Sequence, residues 1–344
     1  MRRGFQKRPT QADIARLAQV SQATVSLVLN ERDSEMRISA ETRERVLAAI
    51  REWGYVPNAS ARSLAGGRNR IIGVYTFEPV FPTTSVDFYF PFLLGMEQEA
   101  AELGQDLLLF TSLDGERRIF RDGSTRLSLA DGALLLGRNP DLDEIERLRD
   151  SGYPFVYVGH REVTGAPVSY VAADYTSATR ELTELLLANG HQRLAYARLG
   201  DGEAHPSRDR EKGFRQALRA AGTRLKGPVW TLEAADEVDG LLDEIVTSGI
   251  TGVVAEQEAL AEEIYASAGR RGLAVPADLS IVVLGDTTGA RHTDVAWTGL
   301  RVPRQEMGRA ATRLLVHLLD SQDAAATSES VSCVIEAGTT VGPR

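Results

Sequence analysis

The sequence predicts a small all-α head followed by a larger α/β body with two doubly wound subdomains. Three observations support this fold class. Residues 10–30 carry two short helical patterns that meet at a tight turn. From residue 70 onward, apolar runs of strand length alternate with amphipathic helical patterns, an order typical of parallel sheets covered on both faces. The alternation occurs as two successive series, which indicates two subdomains with a cleft between them.

The composition is that of an ordinary globular protein, with 344 residues of which 43% are hydrophobic and 25% charged. This length allows two or three domains. No apolar run reaches the roughly 18 residues that span a bilayer, and no apolar segment follows the basic N-terminus, so we expect neither a membrane anchor nor a signal peptide. Cys333 is the single cysteine, which excludes an internal disulfide and a thiolate metal cluster and fits a cytoplasmic location.

The net charge of −9 is unevenly distributed along the chain. Residues 1–70 hold 13 Lys and Arg against 7 Asp and Glu, whereas residues 71–344 hold 26 against 41. A basic N-terminal module on an acidic body indicates that the module is the part that meets a polyanion. A chance fluctuation in the counts explains the asymmetry less well, because the basic part coincides with the helical head.

The head begins with two short helices. Thr10 and Asp13 have the spacing of an N-capping box, and Ser21 can cap the second helix. Helices this short are not stable alone. A short polar helix held against a supporting helix fits a DNA major groove, and the alternative is a solvated helical hairpin. The apolar positions at helical spacing are Ile14, Leu17, Ala18, Val25, Val28 and Leu29.

A longer third helix and a hinge complete the N-terminal part. The third helix is predicted to begin after Ser39 and to end at Gly54, a typical C-terminal glycine. Trp53 is expected in its core. Pro57 suits the first turn of a further short helix that ends before Gly66. The alternative for this segment is a flexible interdomain linker.

Strand candidates in the body are residues 71–77, 106–111, 132–137, 154–159, 193–199, 228–232, 252–256 and 279–285. Helical patterns lie between them at 91–104, 142–152, 175–190, 207–222, 239–249 and 258–272. A final strand-like segment covers residues 330–338. Ligands of open α/β sheets bind beyond the carboxyl ends of the strands, so the cleft is the predicted ligand site.

Several fixed-spacing motifs run through the head and hinge: VS-x-ATVS-x-VLN, TRERV, GY-x-PN and the ARSL before the first body strand. Through these motifs the chain resembles the LacI/GalR family of bacterial transcription regulators. The resemblance implies a helix-turn-helix head at 1–56, a hinge at 57–69 and an effector-binding and dimerisation domain at 70–344. The implied body is of periplasmic-binding-protein type. Its subdomains are assigned approximately to 70–172 with 301–325, and to 173–300 with 326–344.

The resemblance also implies how the head meets DNA. Gln22 and Ala23 match base-facing positions, whereas Asn30 and the hydroxyl-bearing residues of the second helix match phosphate-contacting positions. Leu64 matches a leucine that wedges into a minor-groove base step and kinks the DNA, and packing on the body is the alternative. The full set of implied DNA contacts is Thr10, Ser21, Gln22, Ala23, Thr24, Ser26, Leu27, Asn30, Asn58, Ala61, Arg62 and Leu64.

Leu27 departs from the family pattern, which usually has arginine at this position. Arginine reads guanine through two hydrogen bonds, whereas leucine offers only apolar contact, for example to a thymine methyl group. We therefore expect the operator to differ from the common family pattern at this position. Loss of DNA binding by the head is the alternative interpretation.

The body carries matching motifs, among them REKGF with Arg210, VAADY with Asp174, GLAVPADLSIVVLGD with Asp286, and WTGLRVP. Arginine offers a rigid fork of donors, and carboxylates accept from hydroxyl groups, so the set suits a polyol. Phe88 and Tyr89 match an aromatic pair that stacks on ligand, although aromatic residues at a helix start are often core. Arg138 and His160 follow the third and fourth predicted strands and so point toward the mouth of the cleft. The predicted effector contacts are Phe88, Tyr89, Arg138, His160, Asp174, Arg210, Gln257, Glu258 and Asp286.

Two departures leave the effector unidentified. Gln257 and Glu258 replace the family's Asn-Asp pair, and Val86-Asp87 replaces its Asn-Pro. Arg138 and the arginine beside His160 can bind an acid or phosphate group on the ligand, or form interdomain salt bridges instead. A nucleoside or a phosphosugar is therefore an alternative to a sugar.

The sequence shows no sign of an enzyme or a cofactor. The five histidines have no metal-ligand spacing, and no Walker A loop, G-x-S-x-G elbow or G-x-G-x-x-G turn occurs. The sequence thus predicts a homodimeric DNA-binding regulator, a repressor released from a palindromic operator by a sugar-like effector, with no cofactor. The alternatives are a ligand-binding protein with a non-functional head and a hydrolase with a DNA-binding head. The chain has no heptad-bearing tail, which favours a dimer over a tetramer.

Overall fold

The protein divides into two units, residues 1–71 and 72–344. Residues 57–67 of the predicted hinge lie outside the part of the chain that the structure describes. The residues described by the computed structural model are 9–29, 38–55, 68–78, 88–111, 118–121, 123–137, 140–200, 202–222, 229–235, 237–285, 295–321 and 325–344.

The N-terminal unit contains three described helices: α1 (Gln11–Ala18), α2 (Gln22–Leu29) and α3 (Ala40–Trp53). Their buried apolar side chains form one small core. Partly buried side chains from the helices and their ends, such as Val20 and Tyr55, pack against this core. The core residues are Ile14, Ala15, Ala18, Val25, Val28, Val46 and Ala49. Each helix is too short to be stable alone, so this shared core holds the head together.

Two expected core residues of the head are not in its core. Trp53 is 48% exposed and Leu17 is 37% exposed. Gly54 has a φ of 58° and turns the chain back at the end of α3. The amide of Tyr55 then donates to the carbonyl of Ile50 at 3.1 Å, and the Tyr55 ring packs against the core. The hydrophobic contact that follows a left-handed helix end is therefore made by Tyr55 rather than Trp53.

The body alternates strands and helices in two series. The first series is β1 (Ile71–Thr76), α4 (Phe90–Glu102), β2 (Asp106–Thr111), β3 (Phe120–Arg121), β4 (Ser124–Thr125), β5 (Gly132–Leu136), α5 (Leu142–Asp150), β6 (Phe155–Val158) and β7 (Tyr170–Ala173). The second series is α6 (Tyr175–Ala188), β8 (Leu194–Leu199), α7 (His205–Ala220), β9 (Val229–Leu232), α8 (Asp239–Ser248), β10 (Gly252–Ala255), α9 (Glu258–Arg270), β11 (Ser280–Val283) and β12 (Thr298–Arg301). The chain then continues with α10 (Arg304–Asp320), β13 (Ser328–Val331) and β14 (Val334–Glu336).

These strands form two six-stranded sheets and a small hairpin of β3 and β4. The first sheet has the order β13–β7–β6–β5–β1–β2, and the second has the order β14–β12–β11–β10–β8–β9. Adjacent long strands pair in parallel, as β1 does with β5 and β8 with β10, whereas β14 is antiparallel to β12. Central strands such as β5 and β10 are buried along their whole length, as expected where helices cover both sheet faces. The predicted all-α head and α/β body are confirmed.

Each sheet with its helices forms one lobe. The first lobe consists of the first sheet with α4, α5 and α10, and the second lobe consists of the second sheet with α6 to α9. The chain passes between the lobes after β7, after β12 and after β13. The last passage corrects the expected boundary, because β13 pairs with β7 in the first sheet. Residues 328–331 therefore belong to the first lobe, although 326–344 were all assigned to the second.

Among the described residues, no helix combines the length and apolar character that crossing a membrane requires.

Candidate functional site

Local hydrogen bonds fix the start of α1 and the turn between α1 and α2. The amide of Asp13 donates to Thr10 Oγ1 at 3.3 Å, and the amide of Thr10 donates to Asp13 Oδ2 at 2.9 Å, which completes the predicted capping box. Gln19 ends α1 in the left-handed conformation, with a φ of 54°. The amide of Thr24 donates to Ser21 Oγ at 3.0 Å. The capping box therefore fixes the start of α1, and the caps at Gln19 and Ser21 fix the turn that leads into α2.

The outer face of α2 presents polar and small side chains. Ser21, Gln22 and Ala23 are exposed. The Gln22 side chain is steadied by Gln11, whose Oε1 accepts from Gln22 Nε2 at 3.4 Å. Leu27 is half-buried, as are Thr24 and Ser26. This face can offer hydrogen bonds to base edges and phosphates at its start, but only apolar contact at Leu27.

Part of the predicted site cannot be placed on the structure. The predicted site residues that lie outside the described residues are Asn30, Asn58, Ala61, Arg62, Leu64, Arg138 and Asp286.

In the body, Arg210 is the most firmly positioned of the predicted cleft residues. It lies in the second turn of α7, and its Nε donates to the Leu284 carbonyl at 2.9 Å. Its guanidinium lies over the Tyr175 ring, 3.8 Å from the centroid, and its Nη1 is 3.8 Å from Glu256 Oε1. Three different segments of the second lobe thus hold one guanidinium group. Its Nη2 makes no hydrogen bond to another described residue and can donate to a ligand.

Glu256 is a site residue that the sequence did not indicate. It directly follows β10, and its side chain is 3% exposed. Its carboxylate accepts from the Tyr196 hydroxyl at 2.8 Å and from the Ser207 hydroxyl. Burial raises the pKa of Tyr196, so this phenol remains a neutral donor. Glu256 therefore ties β8, β10 and the first turn of α7 to Arg210. Tyr196 and Ser207 lie 60 and 49 residues from Glu256 in the sequence, which is why no local pattern marks this residue.

Three other predicted effector residues of the second lobe make structural contacts. Asp174 caps α6, since its Oδ1 accepts from the Ser177 amide at 2.9 Å. Gln257 Oε1 accepts from the Leu199 amide at 2.9 Å. Glu258 lies in the first turn of α9, where the helix dipole favours a negative charge. The structure thus gives Asp174 and Gln257 local roles at the edge of the cleft.

On the first lobe, the predicted aromatic pair lies at the start of α4. The rings of Phe88 and Tyr89 are T-shaped with centroids 5.1 Å apart. The Tyr89 hydroxyl donates to Glu78, which follows β1. The Arg304 guanidinium lies over the Phe88 ring, 4.6 Å from the centroid. Phe88 and Tyr89 therefore contact charged side chains as well as the core, and neither Glu78 nor Arg304 was predicted.

His160 and Arg161 follow β6 on the same lobe. His160 Nδ1 lies 2.9 Å from Asp209 Oδ2 on α7, so this contact crosses from the first lobe to the second. Arg161 lies over the Tyr157 ring at 4.4 Å and donates to the Tyr157 hydroxyl at 2.9 Å. Burial raises the pKa of Tyr157 to about 12. The buried Nε of Arg161 makes no hydrogen bond to another described residue.

This arrangement is suited to binding. Arg161 and Arg210 offer donors, Glu78 and Glu256 offer acceptors, and aromatic rings flank both arginines. Donors, acceptors and aromatic faces together can bind a polyhydroxylated ligand. Among the described residues, no group of three or more His, Cys, Asp or Glu side chains is placed to hold a metal ion.

A helix-turn-helix head and a two-lobed α/β body with a polar, aromatic cleft define a DNA-binding regulator with a ligand-binding domain. Comparison with known families agrees. Residues 10–58 match the bacterial regulatory proteins of the lacI family, and residues 183–340 match the periplasmic binding protein-like domain.

Full-length relatives extend the match. The chain is 31% identical over 349 residues to the HTH-type transcriptional regulator CelR of Thermobifida fusca, covering 96% of each chain. It is 30% identical to the HTH-type transcriptional regulator DegA of Bacillus subtilis, covering 86% of this chain and 87% of that one. The chain therefore belongs to the lacI family of bacterial regulatory proteins, and it is a DNA-binding transcriptional regulator.

Solved structures show the same fold. A complex of the transcriptional regulator CelR with cellobiose is 28% identical and has a TM-score of 0.62, covering 97% of this chain and all of that chain. A lac repressor dimer bound to operator and an anti-inducer has a TM-score of 0.67 at 23% identity, covering 98% and 100% of the two chains. The second likeness concerns the fold alone.

Proposed function

We propose that the protein is a cytoplasmic, homodimeric repressor that a small sugar-like effector releases from a palindromic operator. The observation that carries the proposal is the placement of Arg210. It is fixed by the Leu284 carbonyl, Glu256 and the Tyr175 ring, with Nη2 donors left for a ligand. A positioned arginine beside aromatic rings suits a carbohydrate, because ring faces stack on sugars and guanidinium donors bind hydroxyls.

The charge of the cleft supports an uncharged ligand. Arg210 lies near Glu256, and Arg198 forms an ion pair with Glu211 at 2.7 Å. On the first lobe, Arg161 and Glu78 both lie close enough to Tyr157 to affect its pKa. Acids and bases are thus mixed, as in a site for hydroxyl groups rather than for a single strong anion. The CelR complex with cellobiose makes this disaccharide the first compound to test.

For the head, we propose that α2 lies in the major groove, with Gln22 and Ala23 facing bases and with Thr10, Ser21, Thr24, Ser26 and Asn30 near phosphates. Leu27 would contact a base by apolar packing. Leu64 would wedge into the minor groove at the centre of the operator, flanked by Asn58, Ala61 and Arg62. Two heads of a homodimer match the two-fold symmetry of a palindromic site.

The effector proposal is tested by thermal shift with cellobiose, neutral monosaccharides, nucleosides and sugar phosphates. A ligand present at 100 times its Kd stabilises the folded protein by about 2.7 kcal/mol. We expect a neutral sugar to raise the Tm and Arg210→Ala to abolish that rise. Arg180→Ala is the matched control, since Arg180 is half-exposed on α6 of the same lobe and pairs only loosely with Glu184, at 3.7 Å. If only nucleosides or sugar phosphates raised the Tm, the assignment of a neutral sugar as effector would be overturned. If the ligand still raised the Tm of Arg210→Ala, the placement of the effector site at Arg210 would be overturned.

The DNA proposal is tested by gel-shift titration of the DNA upstream of the protein's own gene. We expect one palindromic site, with a binding constant that falls steeply as salt rises, because several phosphates are neutralised. Failure to bind any site at low salt would instead support a ligand-binding protein with a non-functional head.

Two further measurements test the rest of the proposal. Sedimentation of the protein with and without the operator measures whether it is a homodimer. Chemical conversion of the bound sugar would show that the body is an enzyme.

A further inference from the structure

The hydrogen bond between His160 and Asp209 joins the two lobes across the cleft. His160 lies at the carboxyl end of β6 in the first lobe, and Asp209 lies in α7 of the second lobe. The Nδ1 to Oδ2 distance is 2.9 Å, and the two side chains are only 22% and 21% exposed. An ion pair that is partly shielded from water is stronger than one on an open surface.

Ring contacts from both lobes hold the His160 imidazole in place. It stacks on Tyr170 of the first lobe, with centroids 5.1 Å apart and planes inclined by 30°. It also lies against His205 of α7, with ring centroids 4.7 Å apart. The imidazole therefore makes both polar and ring contact with α7, and each of these contacts requires the two lobes to be close together.

The same turn of α7 carries the proposed effector-binding arginine. Asp209 immediately precedes Arg210, and the Asp209 carbonyl accepts from Thr176 Oγ1 at 3.1 Å. Tyr175, next to Thr176, supplies the ring beneath Arg210. A movement of α7 that breaks the contact with His160 therefore also moves Arg210 relative to the first lobe.

We propose that His160 and Asp209 form a proton-dependent clasp that holds the two lobes together over the effector cleft. With His160 protonated, the clasp is a charged hydrogen bond and the closed arrangement of the lobes is favoured. With His160 neutral, the attraction is weaker and the lobes open more readily. Effector affinity and, through it, release from DNA then depend on pH.

The charged groups around His160 agree with this direction. The hydrogen bond to Asp209 is the main cause that raises the pKa of His160, and the charge of Glu162, 3.6 Å from Nε2, adds to it. Burial and the positive charge of Arg161 oppose the rise. The pKa of His205 is lowered, chiefly by burial and then by His160 and Arg161. The His160 ring therefore lies beside an imidazole whose own pKa is lowered, and beside the Tyr170 ring.

The pH window follows from this raised pKa. The closed form binds the His160 proton more tightly than the open form does. The clasp is therefore fully present below the ordinary histidine pKa of about 6.5 and is lost as the pH rises through the raised pKa. Closure and effector affinity should decline together across that range.

The first experiment is an NMR titration of the five histidines in the full-length protein, with His160 assigned from His160→Gln. We expect His160 to titrate above the ordinary range, and Asp209→Asn to return it towards that range. Identical titration of His160 in the wild type and in Asp209→Asn would overturn the clasp.

The second experiment measures closure without any effector. Spin labels are placed at Asp143→Cys on α5 and at Val246→Cys on α8, both exposed, in a Cys333→Ala background. Electron–electron distances are then compared at about pH 6 and about pH 8.5, on either side of the window. We expect a narrower distribution with shorter distances at the lower pH. His160→Gln should abolish this difference, whereas His317→Gln, an exposed histidine on α10, should retain it. A distribution that does not change with pH, or that changes equally in His160→Gln, would contradict the proposal.

An effect of the clasp on effector affinity rests on the effector-binding function proposed above. Cellobiose binding is therefore measured in a separate experiment. We expect the Kd for cellobiose to rise roughly two- to fivefold from the lower to the higher pH, because a partly exposed ion pair contributes a free energy of that size. In His160→Gln, the Kd should not depend on pH. If cellobiose does not bind while the first two experiments succeed, the effector assignment fails and the clasp stands. If it binds with an affinity independent of pH, the clasp does not control the site.

Discussion

At the residue scale, most charged side chains of the cleft have a partner of opposite charge within the protein. Arg198 pairs with Glu211, His160 pairs with Asp209, and Arg210 lies beside Glu256. Arg161 differs from these. It is held by the ring and hydroxyl of Tyr157, while its buried Nε has no partner. A buried donor without a partner costs free energy, so the Arg161 side chain is held in this position at some cost to stability.

His191 provides a residue-scale prediction about stability. It is fully buried in the second lobe, where Nε2 is 2.9 Å from the Gly342 carbonyl and Nδ1 is 3.0 Å from Thr251 Oγ1. Burial is the main cause that lowers the pKa of His191. The unfolded chain, with an ordinary pKa of about 6.5, therefore takes up this proton before the folded protein does.

The body should consequently lose stability as the pH falls from about 6.5 through the lowered pKa, by at most about 1.4 kcal/mol per pH unit for one proton. Urea unfolding of the wild type and His191→Gln between about pH 5 and pH 8 measures this effect. His191→Gln should be less stable at neutral pH but less sensitive to acid. His317→Gln, with its exposed side chain, should keep the wild-type dependence. Equal acid sensitivity in His191→Gln and the wild type would exclude this role.

The sequence was a good guide to residues whose partners are local. Thr10, Ser21 and Ser39 were predicted as helix caps, and each accepts a hydrogen bond from an amide three residues later. Glu256 and Asp209 were not predicted. Their partners lie 49 to 60 residues away. The pairing of β8 with β10 brings Tyr196 to Glu256, and the approach of the two lobes brings His160 to Asp209.

At the scale of elements, strands with an uninterrupted apolar sequence of strand-forming residues were easy to assign, and the others were not. Strands such as β5 and β10 are buried on both faces, so their sequences are uninterrupted apolar runs. β7 (YVAA) and β12 (TGLR) are as short as β10, but the first is half alanine and the second mixes polar and apolar residues, so neither has the composition typical of a strand. The final strand-like segment was expected as one strand, but it contributes β13 and β14 to different sheets. A strand pattern contains no information about which sheet accepts it.

Replacing either of two helix glycines by alanine should change the stability of the body, in opposite directions for the two positions. Gly213 of α7 faces α6 so closely that an added Cβ would lie 2.3 Å from the Thr176 carbonyl oxygen. Gly269 of α9 would place its Cβ in open space. Gly213→Ala must push α6 and α7 apart and should cost about 1–3 kcal/mol, whereas Gly269→Ala should stabilise the body by up to about 1 kcal/mol.

Urea unfolding of the two variants measures both changes in the free energy of unfolding. Because each variant adds a single methyl group to a helix, general helix propensity should affect them alike, and only the contact with α6 distinguishes them. The close packing of α6 against α7 would be contradicted if Gly213→Ala were as stable as Gly269→Ala. Since α7 also carries Arg210 and Asp209, Gly213→Ala should in addition weaken binding of any sugar identified by thermal shift.

At the scale of the whole molecule, charge and function are divided between the two units. The first 70 residues are basic and the remaining chain is acidic. A negatively charged body is repelled by DNA, so we expect the polyanion to bind the basic N-terminal part of the chain. The ligand cleft lies in the body, and its effect on DNA binding must therefore be transmitted as a coupling between distinct sites.

The last prediction concerns that coupling. If the effector reduces operator affinity by some factor, operator DNA must reduce effector affinity by the same factor, because both describe one free-energy difference. Typical couplings are about 1–3 kcal/mol, equal to roughly 5–150-fold. Calorimetric titration of the identified sugar into the free protein and into its operator complex, at one salt concentration, should show this loss of affinity. A duplex of unrelated sequence serves as the control and should change the affinity little.

Equal affinities in the free and operator-bound protein would exclude induction by this ligand. Tighter binding in the operator complex would instead identify it as a corepressor, since the closed lobes would then favour DNA binding.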